Sequence, residues 1–378
     1  MAGLARREND GLIAGRINKR SGVDRRAFLA FCSTMAAALV LPESYVPAIA
    51  KALTNAKRPV LVWLEFQDCA GCTESFLRAS NPTVGKLVLD TLSINYHETL
   101  MAAAGKDAVK ALKDTVGNER GQYIVVVEGA IPTKDNGVYC TIGGRSAIDI
   151  AREVCAGAAA VLTVGACAFY GGWPSANPNP TGAVGLGGAL PGTKIVNLPG
   201  CPPNGVNITA TLIHFLTFGA MPETDAMGRP LFAYGELIHD SCDRRAHFDA
   251  GEFVEAWDDE AHRKGWCLYK MGCKGPETHH NCANVRWNDA TSWPIGAGHG
   301  CVGCSEPGFF DADTPFYKRL PNVPGFGVQT TADEIGVGIV AGTAALFAAH
   351  GIISIVRDRL QPEPVDEPAE PPAGGAAQ

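Results

Sequence analysis

Residues 60–72, VLVWLEFQDCAGC, open with an apolar run, 60–66, broken only by Glu65, which leads through Gln67 and Asp68 into two thiols three positions apart. A short continuous apolar run of this kind fits a strand buried on both faces, as parallel sheets require. The Cys69-Ala70-Gly71-Cys72 turn then falls at the carboxyl end of the strand, where open parallel sheets collect their ligands. Outward from this stretch, similar runs recur at residues 122–127, 159–164 and 194–198. Helical periodicity lies between them at residues 107–116 and 146–156, and follows the last run at 207–218. Strand, helix, strand repetition predicts an α/β fold: a flavodoxin-like doubly wound parallel sheet over residues 51–220, with helices on both faces.

The 378 residues are 46% apolar, enough for a substantial core and more than one folded part. Net charge is −7 and no block is rich in Lys or Arg, which argues against a nucleic-acid partner. After Met221 the periodicity fades and Gly, Pro, Asn, Cys and Trp become frequent, so residues 221–330 read as an irregular domain that needs cross-links in place of a broad core.

Ten of the thirteen cysteines supply those cross-links in closely spaced sets. Cys167 and Cys201 follow the third and fourth apolar runs as Cys69 and Cys72 follow the first. Four thiolates at neighbouring strand ends are the complement of a cubane 4Fe-4S cluster, and zinc stays chemically possible at any such site. His239, Cys242, Cys267 and Cys273 form a second set, which suits a 4Fe-4S cluster with one neutral ligand or a Cys3His zinc site. Cys282, Cys301 and Cys304 form a third; three thiolates suit a 3Fe-4S cluster, a more distant fourth ligand remaining open. Of the remaining three, Cys32 lies in an apolar run near the amino terminus, and Cys140 and Cys155 read as small buried apolar residues.

The residues that carry these sets resemble a known family, the small subunit of membrane-bound nickel-iron hydrogenases. The matching stretches are WLEFQDCAGCTESFLR, VEGAIP, VGACAFYGG, ANPNPTGA, LPGCPPN, HFDAGEF, KGWCLYKMGCKGP and GHGCVGCSEPGFFD, in order from about Val60 to Tyr317. The resemblance implies a proximal 4Fe-4S cluster on Cys69, Cys72, Cys167 and Cys201, a distal 4Fe-4S cluster on His239, Cys242, Cys267 and Cys273, and a medial 3Fe-4S cluster on Cys282, Cys301 and Cys304. It implies reversible splitting of dihydrogen into protons and electrons, with nickel and iron in a separate large subunit and a di-haem cytochrome b in the membrane as electron partner. Neither Cys-x-x-Cys pair here has the sequence context of the large subunit's nickel ligands. The two extra proximal cysteines of oxygen-tolerant members correspond to Gly71 and Gly172, so an ordinary cubane is expected and tolerance by that device is not. Glu74 and Glu128 lie beside the proximal ligands, where hydrogen bonding or capping is the first expectation and proton relay the second. His247 and His299 lie in the matching stretches and are expected near the clusters or the subunit interface. His262, His279 and His280 are expected at the surface or just behind the ligands.

Each end of the chain carries an address. DRRAFLAF at residues 24–31 leads into an apolar run at 32–41, which reads as a twin-arginine export signal over residues 1–50, with Ala48-Ile49-Ala50 as a cleavage site and a mature chain beginning near Lys51. The alternative is a basic tail before an ordinary buried helix. Twin-arginine export carries folded proteins, which suits cofactors inserted before transport. Residues 335–356 have no formal charge if His350 is neutral and would extend about 33 Å as a helix, enough to span a bilayer. Asp333 and Glu334 precede this stretch and Arg357 and Arg359 follow it, so the positive-inside rule places residues 357–378, a disordered tail by composition, in the cytoplasm. The globular part is then expected on the periplasmic face. His350 inside the span is a candidate haem contact.

Overall fold

The computed structural model describes residues 25–54, 59–78, 92–288, 290–312 and 332–360. In chain order the elements that position the thiols are α1 (Arg25–Ala38), α2 (Val46–Leu53), β1 (Val60–Glu65), α3 (Gly71–Leu77), β2 (Ser93–His97), α4 (Gly105–Asn118), β3 (Tyr123–Glu128), α5 (Ala147–Cys155), β4 (Ala160–Val164), α6 (Gly165–Tyr170), β5 (Val196–Leu198) and α7 (Gly205–Phe218). The five strands form one parallel sheet in the order β2-β1-β3-β4-β5. β1 and β3 run in unbroken register from Val60 opposite Tyr123 to Glu65 opposite Glu128.

The four strands expected from apolar runs are present with boundaries moved by one or two residues. The fifth, β2, has the sequence SINYH and offers no apolar run, because it is an edge strand with one paired neighbour and only Tyr96 and His97 fully buried.

Alternation along the strands divides their side chains between two apolar layers. Leu61, Trp63, Ile124, Val126, Leu162 and Leu198 face one layer, which α7 completes with Ile208, Leu212 and Ile213. Val62, Leu64, Val125, Val127 and Val161 face the other, against Leu112 of α4 and Ile150, Ala151 and Val154 of α5. Strands apolar on both faces are what a sheet covered on both sides demands, each fully buried Val or Leu contributing about 1.5–3 kcal/mol. Ser146 caps α5 by accepting a hydrogen bond from the Asp149 amide at 3.3 Å, and Asn204 caps α7 through the Val206 amide at 2.9 Å. Gly219, at φ +69°, ends α7.

The segment read as an export leader contributes α1 and α2 to the first layer. Phe28, Phe31, Cys32 and Met35 recur at i, i+3, i+4 and i+7 and are buried there, with Ile49, Ala50 and Leu53 of α2. Ala48 is exposed, while Ile49 and Ala50 are buried within α2. Residues 1–24, which hold the rest of the leader, lie outside the described residues.

The sheet and the cysteine-rich part belong to one compact unit. Polar staples join them. The amides of Asn207 on α7 and Asn281 exchange two hydrogen bonds, at 2.9 and 3.0 Å. Asn204 donates to the Arg286 carbonyl, and the Tyr170 hydroxyl at the end of α6 donates to the Cys304 carbonyl at 2.9 Å. Buried Arg229 spans Asp225 at 2.7 Å and Glu306 at 3.0 Å. Beyond α7 the backbone of this unit consists of single helical turns and isolated bridges, as the loss of periodicity suggested.

A separate unit holds α8 (Ala332–Leu360). Its stretch Gly336–Arg357, 22 residues, is long and apolar enough to cross a membrane, and none of it is buried. Residues 313–331 and 361–378, including most of the expected tail, lie outside the described residues.

Candidate metal centres

The first set of thiols gathers at the carboxyl edge of the sheet. Cys69 and Cys72 follow β1, Cys167 sits in the first turn of α6 directly after β4, and Cys201 follows β5. The Cys69–Cys72 turn is held from both sides. Asp68 accepts the Ala70 amide at 2.8 Å, with Ala70 in the left-handed region at φ 58°. Glu128, 1% exposed at the end of β3, accepts the Cys72 amide at 3.0 Å, the Thr73 amide at 3.1 Å, the Thr73 hydroxyl at 2.6 Å and the Trp63 indole N–H at 3.0 Å. Its four donors fasten the thiol turn to the neighbouring strand. Burial nevertheless raises the Glu128 carboxyl above its ordinary range. Glu74, the other carboxylate singled out in the sequence, is exposed and pairs with Arg78 at 2.6 Å.

Burial, then the charges of Glu128, Cys167, Cys69 and Cys201, raises the Cys72 thiol well above its ordinary value, so the four sulfurs share one electrostatic neighbourhood. Thiolates crowded this way need a cation, and a coordinating metal supplies it by deprotonating them outright. Glycines keep the space around the sulfurs clear. A Cβ on Gly165 would lie 2.5 Å from the Cys72 sulfur, and one on Gly172 would lie 2.7 Å from the Cys167 sulfur. Cys69 and Cys201 are exposed, whereas Cys267, Cys273, Cys282 and Cys301 are buried.

The second set lines a single cavity: His239, Cys242, Cys267 and Cys273 surround it with Ile238, Leu268 and Ile295. His239 is set edge-on against Phe248, with ring centroids 4.5 Å apart. Burial pushes the Cys267 thiol up to about 12 and raises Cys273. The third set, Cys282, Cys301 and Cys304, lines a neighbouring cavity with Cys201, His280, Trp287 and Trp293. Trp293 lines this cavity, and its indole N–H is buried with no partner among the described residues, a donor of the kind a cluster sulfide would satisfy. All three sets therefore fit metal-thiolate groups by donor chemistry.

Contacts between the sets define a line. The Cys301 amide donates to the Cys273 sulfur at 3.2 Å, joining the third set to the second. Cys201 lines the same cavity as Cys304, whose charge helps raise the Cys201 thiol, joining the third set to the first. The third set thus lies between the other two. Nothing in the spacing of the cysteines along the chain announces this order.

The remaining candidates are dispersed. Cys140 is half-buried and Cys155 buried, both apart from the three sets. His247 meets Glu252 at 2.5 Å, His262 contacts the Gly298 carbonyl at 2.8 Å, and His299 stacks on Trp257 at 5.7 Å. His350 lies on α8. Trp287 and Trp293, which the sequence reading passed over, border the third cavity; an indole some residues before a Cys-x-x-Cys is too weak a signal to select them.

A parallel α/β sheet with thiols gathered at its strand ends, joined to an irregular part with two further ligand cavities, defines an iron-sulfur type of electron-transfer subunit. Residues 69–215 match the family model of the NADH ubiquinone oxidoreductase 20 Kd subunit, and residues 234–317 match that of the C-terminal part of the NiFe/NiFeSe hydrogenase small subunit. The chain is 47% identical to the uptake hydrogenase small subunit of Azotobacter vinelandii, over 91% of its length and 96% of that protein. It is 44% identical to the quinone-reactive Ni/Fe-hydrogenase small chain of Wolinella succinogenes, over 90% of its length and 99% of that chain. The solved Ni-Fe-Se hydrogenase of Desulfomicrobium baculatum superposes with a TM-score of 0.65 at 33% identity, covering 70% of this chain and 100% of that one. The chain belongs to the small subunits of nickel-iron hydrogenases, whose nickel-iron active site lies in the large subunit.

Proposed function

We propose that this chain conducts electrons released by dihydrogen oxidation in a large-subunit partner to a di-haem cytochrome b and the quinone pool of a membrane. The observation that carries the reading is the unbroken line of ligand sets, Cys201 beside Cys304 on one cavity and the Cys301 amide on the Cys273 sulfur. In it Cys69, Cys72, Cys167 and Cys201 hold a proximal 4Fe-4S cluster in the flavodoxin-like domain. Cys282, Cys301 and Cys304 hold a medial 3Fe-4S cluster, and His239, Cys242, Cys267 and Cys273 a distal 4Fe-4S cluster, in the irregular domain. When bound, such clusters supply one-electron carriage at potentials set by burial and by hydrogen bonds to sulfur. The protein's own part is to fix the ligands, exclude water from the buried sets and aim donors at the sulfurs.

The exposed Cys69 and Cys201 suit a proximal set that an obligate large-subunit interface covers. α8 suits a membrane anchor, and a relative described as quinone-reactive suits a membrane acceptor. Export by the twin-arginine route, with the globular part on the periplasmic face and His350 packed near a haem, completes the proposal. Gly172, at φ +52° and packed against Cys167, leaves the proximal set with four thiols, consistent with an ordinary cubane.

Metal and sulfide analysis of the anaerobically purified complex, with electron paramagnetic resonance, tests this directly. About eleven irons per chain are expected. Stoichiometric zinc without iron would overturn the reading in favour of a zinc-stapled protein.

A further inference from the structure

His280 stands against the third ligand set without belonging to it. Its side chain is buried, at 3% exposure, and its Nδ1 lies 3.0 Å from the Cys282 sulfur. The residue is gripped at both ends. The His280 amide donates to the Glu236 carbonyl at 3.1 Å, and the ring meets Tyr234 edge-to-face at 5.0 Å. Tyr234 is itself tied by its hydroxyl to the Pro199 carbonyl at 2.7 Å. An imidazole ring carries an N–H whether neutral or protonated. A thiolate sulfur offers only lone pairs, which places that N–H on Nδ1.

The geometry separates a hydrogen-bond donor from a ligand. A sulfur and an imidazole nitrogen bound to one tetrahedral metal, at bond lengths of about 2.3 and 2.0 Å, stand about 3.5 Å apart, and ligands on different irons stand farther. A 3.0 Å contact is shorter than either. Cys301 of the same set already receives the Gly303 amide at 3.4 Å and has the Thr278 hydroxyl 3.7 Å from its sulfur. Trp287 lines the same cavity as Cys282, and His280 is the side chain whose nitrogen reaches the Cys282 sulfur.

We propose that His280 donates an Nδ1–H hydrogen bond to the Cys282 sulfur and thereby raises the reduction potential of the medial cluster, as a tuning residue and not a ligand. The inference rests on the assignment of Cys282, Cys301 and Cys304 to that cluster. A donor aimed at a cluster thiolate stabilises the more negative, reduced form, so removing it disfavours reduction.

The test is a potentiometric titration of the medial cluster's paramagnetic resonance signal in the intact complex, for wild type, His280→Leu and His280→Asn. The Asn amide nitrogen superposes on Nδ1 and keeps a donor there. Loss of the donor in His280→Leu is expected to shift the reduction equilibrium about tenfold toward the oxidised form, a fall of about 59 mV for one electron, while His280→Asn recovers most of it. Nitrogen hyperfine spectroscopy on wild-type complex carrying 15N-histidine reads the contact without any substitution, because an oxidised 3Fe-4S centre is paramagnetic when both oxidised cubanes are silent. Coupling to one histidine nitrogen is expected. A His280→Leu complex with an intact medial signal at the wild-type potential would overturn the inference, as would absent coupling in the labelled wild type. The labelled measurement decides the matter should His280→Leu lose the cluster. Absence of a 3Fe-4S signal from the wild type would instead refute the cluster assignment, a distinguishable failure.

Discussion

Glu128→Gln tests the mooring of the proximal thiol turn. The substitution preserves volume and shape, so its effect is confined to hydrogen bonding. Glu128 Oε2 accepts the Trp63 indole, the Thr73 amide and the Thr73 hydroxyl, and Oε1 accepts the Cys72 amide. A glutamine has one carbonyl oxygen. With that oxygen on the three-donor side, its NH2 faces the Cys72 N–H, donor against donor, in a site where residue 128 is 1% exposed. Loss of a charge-assisted bond costs about 1.5–3 kcal/mol and a buried unsatisfied donor about 1–3 kcal/mol, so a total on the order of 4 kcal/mol follows once the weakening of the other three bonds is included. At 1.4 kcal/mol per factor of ten, that is about a thousandfold. Amide hydrogen exchange over residues 69–77 in the anaerobic complex should therefore accelerate by about that factor or to the limit set by global unfolding, while β4 stays protected. Unchanged exchange of the Cys72 and Thr73 amides would refute the argument that Glu128 holds the turn.

Three further outcomes follow from the same geometry. Gly165→Ala places a Cβ 2.5 Å from the Cys72 sulfur at a backbone φ of +92°, so on the proposed three-cluster assignment the complex should lose the proximal cluster, its iron falling from about eleven to about seven per chain; full iron content would contradict the convergence of Cys72 and Cys167. Burial raises the Glu98 carboxyl to about 7, against hydrogen bonds from Tyr96 at 2.9 Å and the Glu65 amide at 2.7 Å. A carboxyl raised in the folded state contributes stability that is fully present below its unfolded pKa of about 4.3 and lost as the pH rises through about 7. Denaturation of the complex across that window should show wild type losing more stability than Glu98→Gln, and parallel profiles would remove Glu98 as the cause. Ending the chain before Ala332 should leave iron content and dihydrogen-dependent reduction of a soluble dye intact while abolishing membrane association; continued sedimentation with membranes would show that α8 is not the anchor.

The apolar runs of β1, β3, β4 and β5 and the thiols at their ends were legible because a buried parallel strand writes its environment into consecutive residues. β2 was not, since an edge strand needs only Tyr96 and His97 inside and its pairing comes from β1. The export reading of the amino-terminal segment rested on Arg25 and Arg26 and the apolar run behind them, but the same residues place Phe28, Phe31, Cys32 and Met35 along one helical stripe that suits a folded layer equally well. Local pattern does not choose between those fates, because an export leader and a packed helix both present an apolar run.

The three ligand sets differ in the same way. Membership of the first was suggested by the strand ends that carry Cys69, Cys72, Cys167 and Cys201, and of the other two by short spacings such as Cys301 to Cys304 together with family resemblance. The chain by itself thus determined a parallel α/β sheet, a cysteine-rich part without regular structure and an apolar carboxyl-terminal helix, all properties carried by neighbouring residues. The resemblance implied the order of the sets, and tertiary packing is what stands Cys301 and Cys304 between Cys273 and Cys201; only the tertiary structure decided that His280 rather than His279 turns inward onto Cys282. Those are outcomes of packing between segments far apart in sequence, fixed by contacts such as the Asn207–Asn281 pair, and no local periodicity encodes them.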